Sequence, residues 1–168
     1  MDGINLWCLL TMKAIEGPSV TGLRGATTAL VWIRREDDPG EVLFYGTQNG
    51  HLVCWKQSQN NHISVSACLL NNHPYLGSTC QDPFEEVQCV QLASPSEITG
   101  LAFDAASNHL ATCNRNSVVQ LFTIDGLMQP RVVFSVTIAD FLPKAIAFGH
   151  MSGDNRTVIT FGLHDGQM

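Results

Sequence analysis

Charged residues are scarce in this sequence. Asp, Glu, Lys and Arg together make up 14% of its 168 residues, whereas an average soluble domain holds about 25%. The balance is acidic, with a formal net charge of −6, and nucleic-acid affinity comes mainly from clustered Lys and Arg. No apolar run approaches the roughly 20 residues needed to cross a bilayer. The composition therefore argues against nucleic-acid partners and against a membrane segment.

The sequence also lacks the motifs on which common enzymes are built. It contains no GxSxG nucleophile elbow and no Walker or GxGxxG pattern that would cradle a phosphate. Its six histidines are scattered, without the nucleophile and orienting group that a catalytic histidine needs. We expect no enzymatic activity and no cofactor.

None of the six cysteines forms a CxxC pair, which excludes the common zinc-ribbon and thioredoxin motifs. Cys8, Cys54, Cys89 and Cys113 lie in apolar runs, where a free thiol behaves as a small hydrophobic group. The residues after Met1 include no basic segment of the kind that opens a secretory signal. We therefore expect a reduced intracellular protein, in the cytoplasm or the nucleus.

A short unit recurs along the chain: a tight-turn dipeptide, then an apolar run that ends in an aromatic residue. Asn-Gly and Asp-Gly pairs favour hairpin turns because both residues tolerate positive φ. The second turn positions are 3, 50, 117 and 166, so the separations are 47, 67 and 49 residues. Two of these are close to the length of a four-stranded propeller blade, and the third fits the same unit with an insertion. The repeat residues are Asp2, Gly3, Trp7, Asn49, Gly50, Trp55, Asn116, Phe122, Asp165 and Gly166.

The segments around these turns read as strands. Residues 28–32, 99–103 and 144–148 share small and apolar residues that close on an aromatic, which is typical of strands covered on both faces. Residues 86–92 and 131–136 alternate apolar and polar side chains, which predicts outer strands with one solvated face. No segment has a sustained helical period with caps. The predicted fold class is all-β.

This unit resembles the WD-repeat β-propeller family. The resemblance covers nearly the whole chain and implies a partial, open β-propeller of about three four-stranded antiparallel blades. The blade equivalents are residues 1–25, 26–93 with an insertion at 57–85, 94–138, and a partial blade at 139–168. In that family a turn Asp, a Ser or Thr, a His and the Trp hydrogen-bond within each blade. No matching His occurs here, so we expect that network to be incomplete.

The resemblance implies a non-catalytic protein–protein interaction or scaffold module, within a fragment of a larger propeller. Partners of the family usually dock on the loops that lead into the inner strands. By position, those loops carry Arg24, Thr27, Ser96, Glu97 and Lys144. The partner would be a protein or peptide, and open strand edges would also favour self-association. A truncated product without autonomous function, or half of a closed six-bladed dimer, stays open as an alternative.

Two rival functions remain at this point. The 57–85 insertion contains His62, Cys68, His73 and Cys80, which are zinc-ligand types but have no known finger spacing. A metal- or cysteine-dependent enzyme would use this insertion, although we expect no metal. An acidic chromatin- or RNA-associated propeller is the second rival, and the net charge argues against it.

Overall fold

The computed structural model describes residues 4–9, 12–15, 17–18, 22–34, 40–58, 84–150 and 157–163. Over these residues the chain forms β-strands and one short 3-10 turn at Gly22–Arg24, and no helix there could span a bilayer. The strands are β1 Leu6–Cys8, β2 Lys13–Ile15, β3 Thr27–Ile33, β4 Val42–Thr47, β5 His51–Gln57, β6 Phe84–Gln91, β7 Ile98–Asp104, β8 His109–Asn114, β9 Val118–Ile124, β10 Pro130–Thr137, β11 Pro143–His150 and β12 Thr157–Leu163.

These strands form four antiparallel sheets in chain order. Sheet I has the order β3-β4-β5-β6 and sheet II the order β7-β8-β9-β10. β1 and β2 pair as an N-terminal half-sheet, and β11 and β12 pair as a C-terminal half-sheet. Each connection joins strands that are neighbours in a sheet, so each sheet is a meander. The predicted all-β architecture of four-stranded antiparallel sheets that stay open is confirmed.

The core lies between the sheets. One cluster, which includes Phe44, Ile98 and Phe122, fills the space between sheets I and II. A second cluster on the other face of sheet I contains Trp55 and Phe84, and Leu6 of the N-terminal half-sheet packs against it. Because strands β4 and β5 are covered on both faces, nearly all their side chains are buried. This explains the nearly continuous apolar runs of the sequence.

A repeated hydrogen bond ties sheet I to sheet II and sheet II to the C-terminal half-sheet. Thr28 Oγ1 donates to the carbonyl oxygen of Ile98 at 2.6 Å, from sheet I to sheet II. Thr99 Oγ1 donates to the carbonyl oxygen of Pro143 at 2.6 Å, from sheet II to the C-terminal half-sheet. Both threonines are the second residue of an inner strand. The same local sequence position therefore sets the spacing of two successive sheets.

Strand β10 differs from the expected outer strand with one solvated face. Val132, Val133 and Phe134 are all more than half exposed. A register shift between Val132 and Phe134 makes Val133 an extra residue in the strand, and such a bulge interrupts the alternation of faces. In addition, among the described residues the C-terminal half-sheet packs on β7 and β8, whereas the residues of β10 after Pro130 are exposed.

Candidate protein-interaction surface

The loops leading into the inner strands and the turns between the second and third strands form one continuous band. We call residues 22–26, 48–50, 92–97, 115–117 and 138–142 the loop band. They share one end of the sheets because antiparallel strands return alternate connections to the same end. Backbone bonds run along it, from Gln48 N to Ala26 O at 2.8 Å, from Leu92 N to Gly50 O at 2.9 Å, and from Ile138 N to Ser117 O at 2.8 Å.

Positive φ at the turns sets the shape of the band. Gly50 has φ 75° and Ser117, at the equivalent place in sheet II, has φ 61°. A Cβ on Gly50 would lie 2.6 Å from the backbone nitrogen of Ser96. Glycine is therefore required at residue 50 both by conformation and by the close approach of the next loop.

Asparagines hold the turns and loops together in sheet II. The buried side chain of Asn114 accepts bonds at 3.0 Å from the backbone nitrogens of Asn116 and Val118 through its Oδ1. Its Nδ2 donates to the carbonyl oxygen of Ser94 at 3.3 Å. Asn116 Nδ2 donates to Ser94 Oγ at 3.1 Å. One side chain thus closes the turn and fixes the neighbouring loop, which is the Asx-turn behaviour of this residue type.

The structure brings most of the predicted partner-binding residues into the band, but two of them are engaged in ion pairs. Arg24 donates two hydrogen bonds to the Glu86 carboxylate, at 2.7 and 2.9 Å. This pairing raises the pKa of Arg24 further above its ordinary value. Glu97 accepts a bond from Arg115 at 2.9 Å. Both pairs are partly exposed, so they orient the loops more than they stabilise the fold.

The other three predicted residues differ in their availability. Lys144 is exposed. Ser96 packs its backbone against Gly50. Thr27 has a buried hydroxyl with no hydrogen-bond partner among the described residues. Of the five, Lys144 is the one that is exposed and forms no ion pair with another described residue.

Sequence reasoning missed the exposed apolar groups of the band. Leu23 is 88% exposed and Phe141 is 39% exposed. The hydroxyl of Ser117 donates to the carbonyl oxygen of Phe141, which anchors that loop beside the turn that carries Arg115. A large apolar residue inside a polar loop is the signal that would have marked both positions.

The aromatic positions of the repeat have two different environments. Trp55 and Phe122 are buried, whereas Trp7 is 61% exposed. Tyr45 packs edge-on to Trp55 with ring centroids 5.3 Å apart. Trp55 Nε1 has no hydrogen-bond partner among the described residues. Asp2, Gly3, Asp165 and Gly166 lie outside the described residues.

A cluster of Asp104, Ser107 and His150 lies at the opposite end of the sheets from the loop band. Asp104 accepts a bond from Ser107 Oγ at 2.5 Å and from the backbone nitrogen of Ala106, and His150 Nε2 is 3.3 Å away. Burial raises the pKa of Asp104, but these bonds outweigh it and the net pKa is lowered. Ser107 donates to the carboxylate instead of to His150, so the cluster stabilises a turn and is not a nucleophile with its base.

The proposed zinc-type ligands of the insertion, His62, Cys68, His73 and Cys80, lie outside the described residues. Within the described part of the chain, no group of three or more His, Cys, Asp or Glu side chains is placed to hold a metal ion.

Comparison with solved structures identifies the architecture. The chain is similar to the β-propeller domain of Myceliophteria thermophila Cps50 (Swd1), with TM-score 0.56 and 15% identity over 91% of this chain and 42% of that one. A structure of BBS1N in complex with ARL6DN matches with TM-score 0.52 and 15% identity, over 84% of this chain and 35% of that one. A chain of the mitotic checkpoint complex matches with TM-score 0.51 and 13% identity, over 84% of this chain and 34% of that one.

At these identities the likeness shows the fold: the chain is an open β-propeller segment. It spans between 34% and 42% of the length of the three chains it matches. No protein-family model and no curated protein matches the sequence.

Proposed function

We propose that this chain is a non-catalytic interaction module of WD-repeat type, and that it forms part of a larger propeller that presents the loop band to a protein partner. The WD-repeat assignment rests on the recurrence of the turn and the aromatic at residues 49–55 and 116–122. Two of the similar structures are described as protein assemblies, BBS1N with ARL6DN and the mitotic checkpoint complex.

The observation that carries the proposal is the fixed geometry of the loop band. Loops bound to their neighbours through backbone bonds and asparagine side chains lose little conformational freedom when a partner binds, which favours affinity. Phe141 lies in the connection that leads into β11, beside the turn that carries Arg115, and Lys144 is the second residue of β11. An exposed aromatic residue with a basic residue, Lys144, on the strand that follows it suits a partner segment that carries an apolar side chain and a carboxylate.

The test compares the two ends of the sheets. Phe141→Asp places a charge in the band, and Leu127→Asp places the same charge in the exposed turn between β9 and β10 at the opposite end. Tagged chains recover partners from a lysate of the source cells, and circular dichroism checks that both variants fold. We expect Phe141→Asp to lose a partner that wild type and Leu127→Asp both retain. Loss with Leu127→Asp alone would assign binding to the other end and contradict the proposal.

We propose a reducing, intracellular location because Cys54, Cys89 and Cys113 form no disulfide bond with another described residue, and secreted proteins usually pair their cysteines.

A further inference from the structure

The inner strands β7 and β11 carry large side chains on one face and small ones on the other. In β7, Leu101 and Phe103 pack towards sheet I, whereas Gly100 faces the C-terminal half-sheet. A Cβ on Gly100 would lie 3.3 Å from Ile146 Cγ2. The large residue Ile146 of β11 thus meets the small residue Gly100 of sheet II, as tightly packed layers require.

The C-terminal half-sheet continues this pattern with its small face uncovered. Ile146 points to sheet II, so Ala145 and Ala147 lie on the opposite face by alternation. Ala145 pairs with Gly162, and Ala147 with Thr160. Ala145 and Ala147 are exposed. This is the kind of surface that sheet II presents to Ile146, and here no described residue fills it.

Sheet I has the matching large face, also uncovered. On β3, Leu30 lies opposite Tyr45 and Trp32 opposite Leu43. Tyr45 and Leu43 belong to the cluster against which the N-terminal half-sheet packs. Leu30 and Trp32 are nevertheless 59% and 46% exposed, since the described part of that half-sheet consists of β1 and β2.

A second pair of uncovered faces involves the repeat aromatic. Trp55 faces the N-terminal half-sheet and Phe122 faces sheet I, so in both cases the aromatic faces the preceding sheet. Since Leu6 packs on sheet I, Trp7 points away from it. On sheet II, Phe134 and Val136 lie opposite Leu121 and Val119, on the same face as Gly100, and they are 52% and 38% exposed.

The half-sheets themselves are complementary in strand content. The N-terminal half-sheet corresponds to the third and outer strands of a four-stranded unit, with β1 at its free inner edge. The C-terminal half-sheet corresponds to the inner and second strands, with β12 at its free outer edge. Joined through β12 and β1, the two would make one sheet with the order of sheets I and II.

We propose that a second copy of this chain completes the propeller: β11–β12 of each copy pairs with β1–β2 of the other to form a composite sheet. In that sheet Ala145 and Ala147 cover Leu30 and Trp32 of the other copy, and Trp7 of the other copy packs on Phe134 and Val136. Two four-stranded sheets from each copy and two composite sheets give six, which is within the usual range for a closed ring of about four to eight. The inference rests on the proposed function, since it supplies the larger propeller that presents the loop band.

The mass of the 168-residue chain by light scattering after size exclusion tests this directly. We expect twice the mass of one 18.3 kDa chain at micromolar concentrations. Ala147→Arg, on the open small face, should reduce the mass to that of one chain. Ala105→Arg makes the same change at an exposed turn between β7 and β8 and should leave the dimer intact. A wild-type monomer, or a broad series of larger masses, would overturn the closed dimer.

Mixing two variants tests which faces meet. Leu30→Glu alone should be monomeric, as should Ala147→Arg. In a mixed dimer, one interface places the introduced arginine of one chain against the introduced glutamate of the other, and the second interface keeps Ala147 against Leu30. We therefore expect the mixture to return to the dimer mass, and a mixture that remains monomeric would overturn the assigned pairing. A monomer that still loses its partner on Phe141→Asp would refute the dimer and leave the proposed function standing.

Discussion

Replacing Gly46 by alanine should weaken the contact between sheets I and II. A Cβ on this residue would lie 2.6 Å from both Cβ and Cγ2 of Ile98, a separation that requires atoms to move. Ile98 is fully buried in the inter-sheet cluster, and Thr28 Oγ1 bonds to its carbonyl oxygen. Its backbone therefore has little room to retreat. Overpacking of this kind costs about 1–3 kcal/mol.

Two matched glycines set the scale of the effect. A Cβ on Gly126 would meet nothing within 4 Å, so Gly126→Ala should be neutral or stabilising by about 0.4–1 kcal/mol through the unfolded chain. A Cβ on Gly100 would lie 2.9 Å from Cys113 Sγ, 3.3 Å from Ile146 Cγ2 and 3.4 Å from the Ile146 backbone nitrogen, all of which are wider separations than the 2.6 Å at Gly46. Gly100→Ala should therefore fall between the other two.

Urea unfolding followed by circular dichroism measures the series. We expect the unfolding free energy of Gly46→Ala to be lower than that of wild type by about 1–2 kcal/mol, after the entropic gain of alanine is included. The slope of the transition should not change, since the surface exposed on unfolding stays the same. A Gly46→Ala variant as stable as Gly126→Ala would refute the packing of these two sheets.

Three other changes have defined outcomes. Thr28→Val should lower the unfolding free energy by about 1 kcal/mol because it removes the hydrogen bond to the Ile98 carbonyl oxygen. Thr27→Val removes a buried hydroxyl without a described partner, so it should be neutral or stabilising. Equal losses of unfolding free energy for the two variants in urea would contradict this. Asp104→Asn should cost about 1–2 kcal/mol at neutral pH. The folded pKa of Asp104 is lowered, so the stability that its carboxylate contributes is present above the unfolded pKa of about 3.9 and is lost as pH falls through the folded pKa. Thermal melts of Asp104→Asn and wild type should therefore converge at low pH. Burial raises the pKa of Cys54 to about 12, so at pH 8 its thiol should react with a disulfide reagent only as fast as the protein unfolds. Mass spectrometry locates the labelled cysteine, and fast labelling of Cys54 in the folded protein would show that the interior of sheet I is open to the reagent.

The repeat was readable from the sequence because its information is local. A turn such as Asn49–Gly50 needs residues that tolerate positive φ, and the structure gives Gly50 φ 75°. The apolar run Leu52–Trp55 must be buried, and its four residues are. Turn chemistry and strand pattern act within a few residues, so they predict the strands, their order and the open propeller architecture.

The pairing of charges along the loop band was decided by the tertiary structure. Arg24 and Glu86 are 62 residues apart in the chain, and no local pattern indicates that a loop cation reaches an outer strand. Arg115 and Glu97 likewise meet because a turn and a loop of sheet II lie side by side. Two of the five predicted contact residues are thereby engaged within the chain.

The solvent exposure of equivalent repeat residues could not be predicted from the sequence either. Trp7 and Trp55 occupy the same place in the repeat, yet Trp7 is exposed and Trp55 is buried. The sequence determined that each aromatic lies on the face opposite to that of its neighbours in the strand, since side chains alternate between faces. Only the tertiary structure decided whether a sheet lies there to receive it, because burial depends on the neighbouring layer and not on the strand itself.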